Sequence, residues 1–196
     1  MITLGNHYSL DFFIDETNAM DCFNRYEWKP YNPLKESKRY GLSLTSLDGK
    51  MEGVPDLDSL YEYNKNNKTN YREMDFNKPT ELFYKIDGLS TFLDPISHLL
   101  GRSHILKLEQ GGFFPPHRDL DPETFRLIVL INKCESPYFN LFLNGDPLKL
   151  ERHILYFLNT RMEHSVFSYE RCIFGVFNIK VCGESLDFLR ANLSSK

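Results

Sequence analysis

The run Phe125-Arg126-Leu127-Ile128-Val129-Leu130-Ile131-Asn132 decides the fold class. It is β-branched and apolar, and it reads as a strand. Upstream, residues 103 to 109 alternate between apolar and polar and read as a second strand. Downstream, residues 138 to 143, the pair Asn144-Gly145 and residues 147 to 150 read as a hairpin, because Asn-Gly favours a type I′ turn. Residues 154 to 158 and 171 to 181 are two further strands. Short strands joined by turns predict a sandwich or barrel, in an α+β chain with a mainly β core.

The first hundred residues read differently. Residues 9 to 14 look like a short strand, and residues 28 to 55, rich in Pro, Gly, Lys and Ser, read as loop. Residues 56 to 64 place Leu57, Leu60 and Tyr61 at helical spacing. Residues 80 to 100 are the strongest helical region, with a break at Pro95, a cap at Thr80 and an end at Gly101. A last helix opens at Ser185, read as its N-cap, and runs to Leu193. The expected organisation is one domain: residues 1 to 101 a supporting lobe of helix and loop, 102 to 182 the β-core, and 183 to 196 a C-terminal helix.

Composition excludes several classes. The 196 residues include 16 Phe and 11 Tyr, and 41% are hydrophobic, enough for a sizeable core and against disorder. Lys plus Arg is 23 against 27 Asp plus Glu, a net charge of −4, so no broad nucleic-acid surface is expected. No stretch approaches a membrane span, and the N-terminus lacks a signal-peptide pattern. Cys22, Cys134, Cys172 and Cys182 form no C-x-x-C pair and read as free thiols, which predicts a reducing, cytoplasmic location.

The chemistry concentrates at Gly111-Gly112-Phe113-Phe114-Pro115-Pro116-His117-Arg118-Asp119. In an extended segment His117 and Asp119 share a face, which makes two-thirds of a facial metal triad. His164, 45 residues after Asp119, is the candidate third ligand. His153 competes with it, but its sequence reads as a strand edge. Two His and one carboxylate leave three positions open, a set suited to non-haem Fe(II). A 2-oxo acid filling two of them needs a cation at its far carboxylate. Arg171 and Arg126 head apolar strands, and a guanidinium forks onto a carboxylate. Arg126 also has a second reading, as the partner of a core carboxylate.

These residues, Gln110-Gly111-Gly112-x-x-Pro115-Pro116-His117-Arg118-Asp119, then Arg126-Leu127-Ile128, then His164 and Arg171, resemble the 2-oxoglutarate/Fe(II)-dependent dioxygenases. Within that superfamily they look most like the aspartyl/asparaginyl β-hydroxylase and proline hydroxylase group. The resemblance covers about residues 103 to 181. It implies a double-stranded β-helix, a cupin-like jelly roll, with N-terminal helices packed against it. It implies iron on His117, Asp119 and His164, and 2-oxoglutarate on Arg171 with Arg126 beside it. O₂ would be the co-substrate, and an amino acid, free or within a peptide or protein, the molecule hydroxylated. Two departures stand out: Arg171 follows His164 by only seven residues, and Ile128 occupies a position where the family often has histidine. The competing readings are a jelly-roll binding module without chemistry, and a cupin-type metal enzyme that does not use 2-oxoglutarate.

Overall fold

The apolar run at 125–131 is covered on both faces, and that fixes the architecture. Phe125, Leu127, Val129 and Ile131 face one core, closed by helices and N-terminal residues. Ile128 and Leu130 face a second core, closed by another sheet. Both parities are therefore apolar, as a strand buried on two sides requires.

The computed structural model describes residues 7–32, 38–119, 121, 123–132 and 137–193. Among these, the N-terminal part contains β1 (His7–Phe13), α1 (Glu16–Phe23), β2 (Lys29–Pro30), β3 (Arg39–Ser43) and β4 (Thr45–Ser46). It continues through α2 (Leu60–Asn67), β5 (Lys78–Pro79), α3 (Glu81–Lys85) and α4 (Leu89–Leu93). Then follow β6 (His104–Leu108), β7 (Phe113–His117), β8 (Thr124–Leu130), β9 (Phe139–Leu143) and β10 (Asp146–Leu148). The chain closes with β11 (Ile154–Leu158), β12 (His164–Ser168), β13 (Cys172–Lys180) and α5 (Gly183–Ala191).

The larger sheet has the order β1-β11-β8-β13-β6-β3-β2, and the smaller one β10-β9-β12-β7. All their pairings are antiparallel. From β6 onward the chain passes back and forth between the two sheets, and that winding is the double-stranded β-helix, or jelly roll. Asn144 and Gly145 take φ of 53° and 85°, the two positive values of a type I′ turn, and close the β9–β10 hairpin as expected.

Several local readings change. The stretch 28–55, read as loop, contributes β3 to the larger sheet. Gly41 hides that strand because it is there for packing: a Cβ would lie 2.7 Å from a Leu57 methyl carbon. The helix expected from 56 begins at Leu60. Pro95 does break the helical region, which ends in a 3₁₀ turn over Asp94–Leu99. Ser185 lies inside α5, and its hydroxyl accepts from the Cys182 N–H at 3.0 Å, so Cys182 holds the N-cap position. Cys22 and Cys182 are free thiols, but Cys172 is disulfide-bonded. Cysteine usage therefore no longer argues for a reducing compartment. Cys134 lies outside the described residues. No helix among those residues is long and apolar enough to cross a membrane.

The loop before α2 carries a buried carboxyl. Burial pushes Asp56 up to about 6, against the pull of the Ser43 hydroxyl, 3.0 Å away, and of Arg102. A folded-state value above the unfolded one, roughly 4, means that the folded chain holds the extra proton between those limits. Asp56 therefore makes stability fall as pH rises through that window. Asp56→Asn is expected to melt above the parent at pH 8 and no higher than the parent at pH 4. Equal displacements at both pH values in a melting series would contradict this.

Candidate metal centre

The edge strand β7 brings His117 opposite His164 of β12 as direct register partners. The β12–β7 register shifts between His164 and Val166, a bulge of the kind that re-aims a side chain. The two imidazole centroids are 4.1 Å apart. Asp119 follows His117 by two residues, and its backbone N–H donates to Thr160 O at 2.9 Å, which holds the carboxylate beside the ring pair. One ligand atom from each of His117, Asp119 and His164 lies within 4.8 Å of the others.

The ring tautomers are set by the backbone. His117 Nδ1 is 2.7 Å from Pro115 O, and His164 Nδ1 is 3.0 Å from Met162 O. A carbonyl only accepts, so each Nδ1 carries a proton and the tautomer of the neutral ring is the one with its lone pair on Nε2. This is the outer bonding that orients metal-ligating histidines. Burial pushes the His164 pKa down, against the opposing pull of its bond to Met162 O, and favours the neutral ligand form. Asp119 Oδ2 is buried without a hydrogen-bond donor. Two imidazoles that present Nε2 and a carboxylate with no hydrogen-bond donor on Oδ2 fit a divalent cation, and the open facial set fits iron(II).

The arginines divide. Arg126 points to the inner side of β8, with Nε 2.7 Å from Asp119 Oδ2. The pair is close without hydrogen-bond alignment, since neither atom has a hydrogen-bond partner. Arg126 thus meets a carboxylate, as one sequence reading had it, and that carboxylate belongs to the triad. Arg171 is not brought to the site. Along β13, Cys172, Phe174 and Val176 face the inner core, whereas Ile173, Phe177 and Ile179 face the outer one. By the same alternation Arg171 falls on the outer side, where its Nε pairs with Glu109 Oε2 at 2.8 Å and its side chain is 66% exposed. The expectation that it anchors a 2-oxo acid does not match this position. Arg171→Met is expected to change stability by less than about 1 kcal/mol, as for other exposed pairs. Arg126→Met, which removes the guanidinium beside Asp119, should cost more, about 1–3 kcal/mol. The reverse order in a pair of denaturant melts would contradict the assignment.

The triad opens into a cavity of about 250 Å³. Its inner wall is apolar, including Leu106, Ile128, Val166, Phe174 and Val176. Its polar lining includes Asn32, Arg39, Asp58 and Arg102, all from before β6. The Arg39 guanidinium lies 4.4 Å from the Phe114 ring centroid and 5.7 Å from that of Tyr31. Sequence reasoning missed all four. The alternation of Arg39-Tyr40-Gly41-Leu42-Ser43 was a signal for the strand, while Asn32 and Asp58 sit in turns with no pattern to expose them. His153, the competing ligand, is bonded instead to Glu16 at 3.0 Å.

No protein-family model and no curated protein matches the chain. Among solved structures it is similar to an oxidoreductase of the 2OG-Fe(II) oxygenase family from Burkholderia pseudomallei, with TM-score 0.51 and 11% identity over 84% of this chain and 77% of that one. It also aligns with a viral collagen prolyl hydroxylase from Paramecium bursaria Chlorella virus-1 in its 2OG complex, at TM-score 0.47 and 11% identity over 91% and 97%. An RmlC-like cupin from Desulfovibrio desulfuricans aligns at TM-score 0.32 and 18% identity over 40% and 70%. At these identities the likeness is one of fold. The chain has a jelly-roll fold, and it gathers two histidines and an aspartate into one potential metal site.

Proposed function

We propose that the protein is an iron(II)- and 2-oxoglutarate-dependent dioxygenase that hydroxylates an amino-acid side chain and releases succinate and CO₂. The observation that carries this reading is the pair of register-matched histidines, each with Nδ1 bonded to a carbonyl, with an Asp119 carboxylate oxygen within 4.8 Å of a ring nitrogen of each. His117, Asp119 and His164 would hold the iron. Bound there with 2-oxoglutarate and O₂, iron(II) supplies the oxidising chemistry.

The chain's own residues do the rest. The two carbonyl bonds fix the orientation of both imidazoles, with Nε2 of each presented to the site. Arg126 is the guanidinium beside the ligand set, and it offers positive charge to a bound carboxylate. The wall of Leu106, Ile128, Phe174 and Val176 excludes water from the reacting atoms and strengthens those electrostatics. The test is succinate formation from 2-oxoglutarate with iron(II), O₂ and candidate amino acids or peptides. Stoichiometric succinate and hydroxylated product support the reading. Metal binding with no dependence on 2-oxoglutarate would transfer the protein to a different class of cupin chemistry.

A further inference from the structure

Two buried acceptor atoms of residues that line the cavity lack a donor: Asn32 Oδ1 and Asp58 Oδ1. Both residues line the triad's cavity and also an adjoining recess of about 290 Å³. Asn32 is 8% exposed and has a left-handed backbone, φ 55°. Its backbone N–H donates to Leu57 O at 2.7 Å, which ties it to the segment that carries Asp58. Asp58 is fixed in turn through its carbonyl, which accepts from Arg102 Nη2. Backbone bonds thus place both side chains and leave their acceptor oxygens unused. Buried acceptors are rarely left so, and an unpaired one at a cavity wall is an unmet demand for donors.

The donor that fits is an ammonium group. It brings several N–H bonds and a positive charge to the half-buried Asp58, whose neighbour Arg102 donates to Glu73 and to two backbone carbonyls instead. The same cavity wall carries Arg39, whose planar guanidinium pairs with carboxylates. An ammonium and a carboxylate on one small molecule describe a free α-amino acid. A residue inside a polypeptide has an amide at each of those places and would bring no cationic donor to Asp58 Oδ1.

We propose that Asp58 and Asn32 bind the ammonium group of a free α-amino acid, with Arg39 at its carboxylate, so that its side chain is directed toward His117, Asp119 and His164. Treating this ligand as the molecule that is hydroxylated rests on the dioxygenase reading; the binding site stands on its own. The test is calorimetric titration of the full chain with each of the twenty free L-amino acids and their N-acetyl forms. It is run with and without Mn(II) plus 2-oxoglutarate. At least one free amino acid is expected to bind and its N-acetyl form to fail. Asp58→Asn should weaken binding about 10–100-fold, the worth of hydrogen bonds to a charged group. Asn32→Gly, which suits the left-handed backbone, should weaken it about 3–10-fold. Neither change should alter the binding of Mn(II) or 2-oxoglutarate. Should Asp58→Asn fail to fold, Asn32→Gly decides. Binding of N-acetyl forms as tightly as free ones, parent affinity in both variants, or no binding by any free amino acid overturns the proposal. Amino-acid binding without any binding of Mn(II) or 2-oxoglutarate would overturn the dioxygenase reading and leave the ammonium site standing.

Discussion

Replacing His117 with alanine is expected to lower turnover by at least about two orders of magnitude, since losing even a residue behind a metal ligand costs about 10–100-fold. The fold should survive. His117 ends an edge strand, and its side chain is 38% exposed, so little packing is lost. The diagnostic readout is the metal-induced rise in melting temperature. A ligand that binds only the folded chain stabilises it by mass action, and the variant should lose that rise while its metal-free melting stays within a few degrees of the parent's. A variant that keeps the metal-induced shift would remove His117 from the centre.

Arg102→Met is expected to be the most damaging single change to stability, at about 3–5 kcal/mol, the usual cost of stripping one partner from a buried ion pair. Arg102 is 4% exposed. Its Nη1 lies 3.3 Å from Glu73 Oε1, its Nε donates to Asp56 O at 2.7 Å, and its Nη2 donates to Asp58 O. Glu73 accepts in addition from Asn178 Nδ2 at 2.9 Å, which joins the network to β13. Methionine fills much of the volume but leaves two carbonyls and a largely buried carboxylate without their donor. Denaturant melts of Arg102→Met, Glu73→Gln and the double variant separate the pair's coupling from general damage. The double variant should be less destabilised than the sum of the singles; simple additivity would mean that the pair is not coupled. Because Arg102 also holds the carbonyl of Asp58, the single variant should loosen the polar lining of the cavity as well.

What could be read in the sequence follows from where the physical signal is local. The run at 125–131 and the Asn144-Gly145 turn announce themselves because apolar identity and positive φ are properties of single residues and their neighbours. The His117-x-Asp119 spacing is legible for the same reason, since an extended backbone puts both side chains on one face. Strand β12 is only five residues long and mixes polar and apolar side chains, so His164 is legible as a candidate ligand while its strand is not. Arg171 misled because sequence order places it at the head of an apolar strand. Only the register of β13 against β6 and β8 reveals which face it occupies. Asn32, Arg39 and Asp58 reach the cavity through long-range packing of the N-terminal half. For Asn32 and Asp58, nothing in the local pattern encodes it.

The most direct test of the metal centre is an anaerobic titration of the purified chain with iron(II) and 2-oxoglutarate, followed by visible absorption. The account predicts a charge-transfer band that needs both components, saturates at one iron per chain, and is absent from His117→Ala and His164→Ala. A parent protein that takes up iron(II) and 2-oxoglutarate without developing that band, or that binds neither, would contradict it.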